Sequence, residues 1–269
     1  GRDPEKLDAA FSEVTAACPT ARLETILVDL ASLDSVRLCA AEANKRLEKI
    51  DVLINNAAVM ACPLAHTTDG FEMQFGTNHL GHFALTKGLM PLVRKGAGSP
   101  GGGRIVYLSS RGHFMSGIDL GDPNFEHRDY NEWLSYGQAK TANALFTAGL
   151  ESRFSGEGIH AIAVHPGGIQ TNLGRHLSDE QQEALVSRVT TSDPDFEWKT
   201  IPQGAATQVW AATSPDLEGR GGVYCEDCHI AETDDTSPIS GVRSYALDTS
   251  RADALWTLSE RLTGEAFTV

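Results

Sequence analysis

A tyrosine and a lysine stand four residues apart in Tyr136-Gly-Gln-Ala-Lys140, within a segment (131–153) whose pattern predicts a helix. Four residues make about one helical turn, so both side chains lie on one face. A phenol with a pKa of about 10 exchanges protons poorly at neutral pH, but an ammonium a few Å away favours the phenolate. We therefore expect Lys140 to lower the pKa of Tyr136, and the pair to move a proton on or off an alcohol oxygen. The competing interpretation is a surface tyrosine beside a solvated lysine, and the surrounding residues decide between the two.

Four short apolar runs, at residues 22–29, 50–55, 104–110 and 160–165, predict β-strands. They alternate with helical patterns, which is typical of a parallel sheet covered by helices on both faces. Ligands of such sheets bind outside the carboxyl ends of the strands. This edge brings together Asp29, Asn55, Asn56, Ser109, Ser110, Pro166 and Gly167.

The remaining pattern completes one α/β domain over residues 1–269, with no internal repeat and no linker. The glycine-rich stretch 96–103 precedes a strand instead of following one, so it predicts a flexible connection and not a phosphate cradle. A short strand is predicted at 222–225. Helices are predicted at 4–17, 33–47, 70–94, 131–153, 179–188, 204–212 and 249–263.

Length and charge restrict the class of protein. The chain has 269 residues, of which 41% are hydrophobic, enough for one sizeable core. A net charge of −14 argues against nucleic-acid and anionic-lipid partners. The sequence has no run of 18 apolar residues, so no membrane span is predicted. Five scattered cysteines indicate a reducing compartment, so we expect a cytoplasmic location, with an upstream membrane anchor left open.

Neither histidine nor cysteine spacing predicts a metal site. The pair Cys225 and Cys228 has only His229 nearby, whereas zinc needs four ligands. His79 and His82 stand three apart on a predicted helix, but no carboxylate has a matching spacing. A serine hydrolase is also disfavoured, because the chain has no Gly-x-Ser-x-Gly turn.

Five short motifs in the same order resemble the short-chain dehydrogenase/reductase family along nearly the whole chain. A 26-residue gap from Ser110 to Tyr136 resembles the retinol-dehydrogenase-like branch of that family. Ala58 replaces a family glycine in the first motif. The motifs are Asn55-Asn-Ala-Ala58, Thr77-Asn-His-Leu-Gly-His82, Leu108-Ser-Ser110, Tyr136-Gly-Gln-Ala-Lys140 and His165-Pro-Gly-Gly-Ile-Gln-Thr171.

This resemblance implies a Rossmann-like fold and hydride transfer between a nicotinamide and a substrate carbon. Tyr136 would be the general acid in reduction and the general base in oxidation, with its pKa lowered by Lys140. Ser110 would donate a hydrogen bond to the substrate oxygen. Asn78 would anchor a water that connects Lys140 to solvent, at some cost in local helix geometry.

The resemblance also implies a dinucleotide cofactor, NADP in preference to NAD. Arg2 stands where the family places a basic residue against the 2′-phosphate, and Lys140, beside Tyr136, would bond the nicotinamide ribose. The other implied contacts are Asp29 and Leu30 at the adenine, Asn56 and Ala57 at its ribose, and Pro166, Gly167, Ile169 and Thr171 at the nicotinamide end.

One departure from the family pattern is large. The family's first strand, its Gly-x-x-x-Gly-x-Gly turn and its second strand have no counterpart, and Gly1-Arg2 matches the end of that second strand. The strand expected at 22–29 therefore lacks its usual neighbour, and its backbone groups go unpaired. We expect the chain to be part of a longer protein, and to be unstable or prone to associate when isolated.

Taken together, the sequence predicts an NADP-dependent oxidoreductase that acts on an alcohol, ketone or aldehyde. Residues 172–200 correspond to the family's substrate lid, with Phe196 and Trp198 as wall residues or lid anchors. The alternative is an idle nucleotide-sensing or interaction protein on the same scaffold. Family members often pair through the Tyr136 helix, so a homodimer stays open.

Overall fold

Five short strands form one sheet within residues 1–268, the part of the chain described by the computed structural model. Four strands run parallel and the fifth is antiparallel, which confirms a Rossmann-like α/β fold with a mixed sheet. The sequence did not predict the fifth strand. In sheet order they are β1 (Val52–Asn55), β2 (Arg104–Leu108), β3 (His160–His165), β4 (Val223–Glu226) and β5 (His229–Ile230).

Eight α-helices within these residues surround the sheet, and most begin at a side-chain cap. Asp3 caps the first helix through the Lys6 N–H, and Asn131 caps the fifth through two backbone N–H groups. The helices are α1 (Pro4–Ala17), α2 (Leu33–Arg46), α3 (Met73–Phe75), α4 (Gly81–Ala97), α5 (Glu132–Phe154), α6 (Asp179–Ser192), α7 (Ile201–Thr213) and α8 (Thr249–Thr263).

The core lies on both faces of the sheet, as the predicted pattern requires. On one face, Phe83 of α4, Phe146 of α5 and Trp256 of α8 pack with Tyr107 of β2. On the other face, α7 covers β2 and β3. Helix α5 is buried along residues 135–150, so the protein interior surrounds it and fixes its position.

Residues 22–29 are not a strand, which corrects the prediction. Their apolar side chains pack instead of pairing: Val28 contacts the cluster around Leu33, and Ile26 contacts the cluster around Leu89. The Val28 N–H donates to the Gly1 carbonyl at 2.9 Å, and no ladder forms within residues 1–268. The apolar run therefore indicates packing against α2 and α4, while a strand also needs a partner for its backbone.

The parallel register aligns the carboxyl ends of the central strands. Leu108 of β2 pairs with Val164 of β3, and His165 pairs with Glu226 of β4. Ser109 and Ser110 thus leave β2 beside the point where the chain leaves β3. This is the sheet edge at which ligands of open α/β folds bind.

Candidate active site

Two adjacent serines follow β2 and have different surroundings. The buried Ser109 donates its Oγ hydrogen to the carbonyl of Lys140 at 2.8 Å, which fixes α5 against the end of β2. Ser110 has an extended backbone, and its Oγ accepts a hydrogen bond from the Gly112 N–H at 3.0 Å. Ser110 thereby caps a short 3₁₀ turn, Arg111–Met115, and its hydroxyl faces α5.

Gly112 brings the Ser110 hydroxyl and the Tyr136 ring together. A Cβ at this glycine would stand 2.7 Å from Cε1 of Tyr136 and 3.3 Å from Oγ of Ser110. Any larger residue would push the 3₁₀ turn away from α5. Glycine therefore allows the hydroxyl of Ser110 and the phenol of Tyr136, from two different elements, to share one site.

Burial, and not the charge of Lys140, has the largest effect on the pKa of Tyr136. This pKa is raised and not lowered, which corrects the prediction. Only 4% of Tyr136 is exposed, and burial raises its pKa to about 12, opposed in part by a hydrogen bond from Ser110. Lys140 Nζ lies 5.7 Å from the centroid of the tyrosine ring. Burial also lowers the pKa of Lys140 to about 7. A buried ammonium is itself destabilised, so the sequence argument overstated its effect on the phenol.

Lys140 is held at the end of β2 by a backbone oxygen. Its Nζ donates to the Leu108 carbonyl at 2.9 Å, and Asn143 Nδ2 donates to the same oxygen at 3.0 Å. The lysine lies one turn beyond Tyr136 on the buried face of α5. With a pKa near neutrality, it is a group that releases and takes up protons at physiological pH.

Asn78 lies in a π-helical turn, Gly76–Leu80, between α3 and α4. Its Oδ1 accepts from the Val59 N–H and its Nδ2 donates to the Val59 carbonyl, both at 2.8 Å. Its own carbonyl lies 3.1 Å from His82 Nδ1 and 3.3 Å from the Tyr107 hydroxyl. Asn78 therefore holds the segment after β1 in place, and its part in a proton path to solvent stays a prediction.

His113 is a site residue that the sequence reasoning missed. This buried ring lies 2.7 Å from the Ser110 carbonyl through Nδ1 and accepts from the Arg243 N–H at 3.1 Å through Nε2. The Tyr224 hydroxyl of β4 stands 3.3 Å from Nδ1. Burial lowers the pKa of His113 to about 4, so the ring is neutral at pH 7. It ties the turn after Ser110 to β4 and to the chain near Arg243.

The Pro166-Gly167 segment leaves β3 toward the same edge. Gly167 has a positive φ of 89°, and the Lys199 side chain lies directly against it. Lys199 also forms an ion pair with Asp227. Ile169 pairs with Lys199 through a β-bridge. Residues 166–169 are thus covered by the chain that enters α7.

The lid segment packs on the neighbouring glycine. Phe196 and Trp198 stack edge to face at 5.1 Å between ring centroids. A Cβ at Gly168 would stand 2.6 Å from the Phe196 ring. Both aromatic residues therefore anchor residues 172–200 onto the Pro-Gly segment, one of the two roles that the sequence left open for them.

Two of the residues assigned to the adenosine end, Arg2 and Asp29, lie near one another. Arg2 Nη1 stands 3.8 Å from Asp29 Oδ1, and this carboxylate accepts from the Ala31 N–H at 3.0 Å. Leu30 is buried, while Asn56 and Ala57 are exposed after β1. Thr171, which the resemblance assigned to the nicotinamide end, is exposed and caps a 3₁₀ turn through the Leu173 N–H.

The histidines considered as metal ligands have other partners. His79 Nε2 lies 2.8 Å from Ser259 Oγ, and His82 Nδ1 lies 3.1 Å from the Asn78 carbonyl. Residues 1–268 contain no group of three histidine, cysteine or acidic side chains placed to hold a metal ion. Within the same residues, no helix is long and apolar enough to cross a lipid bilayer.

Comparison with known proteins identifies the family. A family model described as short chain dehydrogenase matches residues 1–182. The chain is 38% identical over 264 residues to short-chain dehydrogenase/reductase prx1 of Penicillium rubens, covering 97% of this chain and 75% of that protein. The chain belongs to the short-chain dehydrogenase/reductase family. This family assignment makes the protein a member of a family of oxidoreductases.

Other relatives agree with the branch that the motifs indicated. Human retinol dehydrogenase 14 is 40% identical over 237 residues, covering 88% of this chain and 66% of the relative. The solved structure of an uncharacterized protein from Mycobacterium paratuberculosis is 35% identical, with a TM-score of 0.70, covering 98% of this chain and 84% of that one. The short-chain dehydrogenase fold and the retinol-dehydrogenase-like relationship are thereby confirmed.

Proposed function

We propose that this short-chain dehydrogenase/reductase transfers a hydride between NADP(H) and an alcohol or carbonyl substrate, with Tyr136 as general acid and base. One observation carries the proposal: the Ser110 hydroxyl and the Tyr136 phenol meet over Gly112 at the carboxyl end of β2. Two hydroxyl groups on one substrate oxygen are suited to bind it and to exchange a proton with it.

Each side chain then has a separate task. A bound nicotinamide supplies or accepts the hydride at the substrate carbon. Ser110 donates a hydrogen bond to the substrate oxygen and orients it toward Tyr136. Because its pKa is raised to about 12, Tyr136 carries its proton at neutral pH and serves as the acid in reduction. Lys140, one helical turn beyond Tyr136, has a pKa of about 7 and therefore takes up and releases protons at neutral pH.

The residues at the adenosine end fit a nucleotide with a 2′-phosphate. Within residues 1–268, Arg2 has a single long contact to an acid, 3.8 Å to Asp29, and its side chain is 61% exposed. A guanidinium with free donors suits a dianionic phosphate better than a neutral 2′-hydroxyl. This donor set supports NADP over NAD.

A titration of NADPH and then NADH into the purified chain, followed by nicotinamide fluorescence, tests the cofactor proposal. We expect saturable NADPH binding and weaker NADH binding. Arg2→Gln should remove most of the difference, by about tenfold, since one charged contact to phosphate is lost. The matched control Arg22→Gln removes an exposed charge with the same chemistry. Equal binding of both nucleotides contradicts the NADP preference, and binding of neither contradicts cofactor binding by this chain, in which the family's glycine-rich turn has no counterpart.

A further inference from the structure

A small cavity opens beside the proposed proton-transfer site and is lined by three arginines. Its volume is about 210 Å³, below the roughly 300–1,000 Å³ of a complete small-molecule site, so it suits one end of a ligand. Arg111 directly follows Ser110, while the other two arginines come from α6 and from the chain before α8. The lining residues are Arg111, Phe114, Met115, Arg188, Val189, Ser192, Pro238 and Arg243.

The three guanidinium groups keep most of their hydrogen-bond donors free of carboxylates. Within residues 1–268, no acidic oxygen lies within 4.0 Å of any of them, in a chain with a net charge of −14. Arg111 donates to the Ile239 carbonyl at 3.0 Å, and Arg188 donates to the weak acceptor Met115 Sδ at 3.3 Å. A guanidinium has five N–H donors, so both retain donors for a further acceptor.

Arg243 is fixed in place and adds a third positive charge. It donates to the carbonyls of Asp234 and Ser237, and its guanidinium stacks 3.8 Å from the centroid of the Phe114 ring. The nearby carboxylates have other partners. Asp234 accepts from Thr236 and Ser237, and Asp235 accepts from the Ser244 N–H. None of these acids lines the cavity.

The positive field extends to the groups around Ser110. Burial is the main cause of the lowered pKa values of His165 and His113. The charge of Arg111 lowers the pKa of His165 further, and the charge of Arg243 does the same for His113. Glu226 lies on the same side, but its carboxylate accepts from the Gly241 N–H and is buried. The charges of Arg111 and Arg243 therefore act on groups that lie next to Ser110.

We propose that the cavity binds an oxyanion on the substrate, so that the enzyme acts on carbonyls or alcohols that carry a carboxylate or a phosphate. This inference rests on the proposed oxidoreductase function and adds the substrate class. Phe114, Met115, Val189 and Pro238 supply apolar contacts for the body of such a substrate. Arg111 and Arg188 supply the free donors, and Arg243 supplies a fixed charge.

Three matched aldehydes test the proposal: para-carboxybenzaldehyde, its methyl ester and para-formylphenyl phosphate. Binding of each to the full chain is measured by calorimetry, which does not depend on turnover. We expect each anion to bind at least about tenfold more tightly than the ester, because charged hydrogen bonds to arginine are lost in the ester. A preference for the phosphate over the carboxylate, or the reverse, identifies the anion while supporting the subsite. Equal binding of acid and ester, including no detectable binding of either, overturns it.

Arg188→Gln is the sharpest variant, since Arg188 is exposed and, within residues 1–268, its one side-chain hydrogen bond is to Met115 Sδ. It should reduce the preference for the anions about tenfold and leave ester binding within about twofold. Arg111→Gln should act in the same direction. Arg261→Gln, an exposed charge on α8, is the matched control and should leave the preference unchanged. If the preference survives in both cavity variants, the three arginines are not the anion site.

Turnover separates this inference from the proposed function. NADPH oxidation with the ester, lost in Tyr136→Phe, supports the oxidoreductase whether or not the acid is preferred. Preferential binding of the acid, with none of the three aldehydes turned over, supports the anion subsite and counts against the reaction. The two proposals therefore fail in different measurements.

Discussion

At the scale of single residues, the site depends on buried groups whose pKa values shift in opposite directions. Burial raises the pKa of Tyr136 to about 12 and lowers that of Lys140 to about 7. Both shifts favour the uncharged form, as expected when water is excluded. Tyr136 therefore carries a proton that it can donate at neutral pH, and Lys140 exchanges a proton near neutral pH.

The lowered pKa of Lys140 predicts a pH-dependent stability. Its folded value is about 7 and its ordinary value is 10.5, so between these values the unfolded chain binds more protons. Stability from this group therefore increases as pH rises, by about 1.4 kcal/mol per pH unit. Urea unfolding of wild type and Lys140→Met from pH 7 to 9 should show the wild type gaining on the variant. Parallel curves would show that the pKa of Lys140 is not lowered in the folded protein.

His113 gives a second prediction at this scale. The ring holds the Ser110 carbonyl and the Arg243 N–H without facing the substrate oxygen, so it is a positioning residue. His113→Leu should lower kcat about tenfold and change KM little, because Ser110 is misplaced. His113→Gln, which keeps polar groups, should recover part of the rate. A change in KM alone would place the residue in substrate binding instead.

The sequence predicted side chains that lie close together in the candidate site, but not how burial changes their acidity. Ser110, Tyr136 and Lys140 belong to short motifs, and the aligned strand ends bring them together. The pKa of Tyr136 was predicted in the wrong direction, because desolvation depends on the elements that enclose α5. His113 was missed because it lies in the irregular segment after Ser110 and meets Tyr224 only in the fold.

At the scale of elements, the π-helical turn Gly76–Leu80 contains Asn78, whose side chain bonds to Val59 in the segment after β1. Asn78→Ala removes two bonds of 2.8 Å and leaves the buried Val59 N–H and carbonyl unpaired. We expect a loss of about 3 kcal/mol in the free energy of unfolding, measured with urea. Asn44→Ala removes two bonds from an exposed asparagine and should cost below about 1 kcal/mol. Equal losses in the free energy of unfolding would show that Asn78 stabilises the fold no more than the exposed Asn44.

Most elements were predicted from local pattern, and the failures have one cause. Predicted helices such as α5 and α8 match the observed helices within one residue at each end. The strand predicted at 22–29 and the unpredicted β5 both depend on a partner. Residues 22–29 contain an apolar run without a ladder, whereas His229–Ile230 is too short for a pattern but pairs with β4. Local sequence does not encode the neighbour that decides a strand.

At the scale of the whole molecule, β1 is an edge strand within the described residues. Val52–Asn55 pairs only with β2, and Ile54 is 42% exposed beside this edge. A free strand edge with an exposed apolar side chain favours association between chains. The expectation that the isolated chain associates therefore has a structural basis, and pairing through α5 stays a prediction.

Light scattering after size-exclusion chromatography tests this expectation. The wild-type chain should associate increasingly with concentration, and Ile54→Lys should shift it toward the monomer. Ile201→Lys is the matched control, because Ile201 is 72% exposed and lies on α7 instead of on a strand. A wild-type monomer with a cooperative thermal transition would contradict the expectation, and so would equal association of both variants.

The central claim is that Tyr136 moves the proton of the reaction, and Tyr136→Phe tests it most directly. The substitution removes one oxygen from a buried side chain next to Ser110 and Gly112 and preserves the ring that packs there. NADPH binding and NADPH-dependent carbonyl reduction are measured on both forms under the same conditions. We predict binding within about twofold of wild type and a loss of at least about a hundredfold in turnover. Turnover equal to wild type would contradict the mechanism.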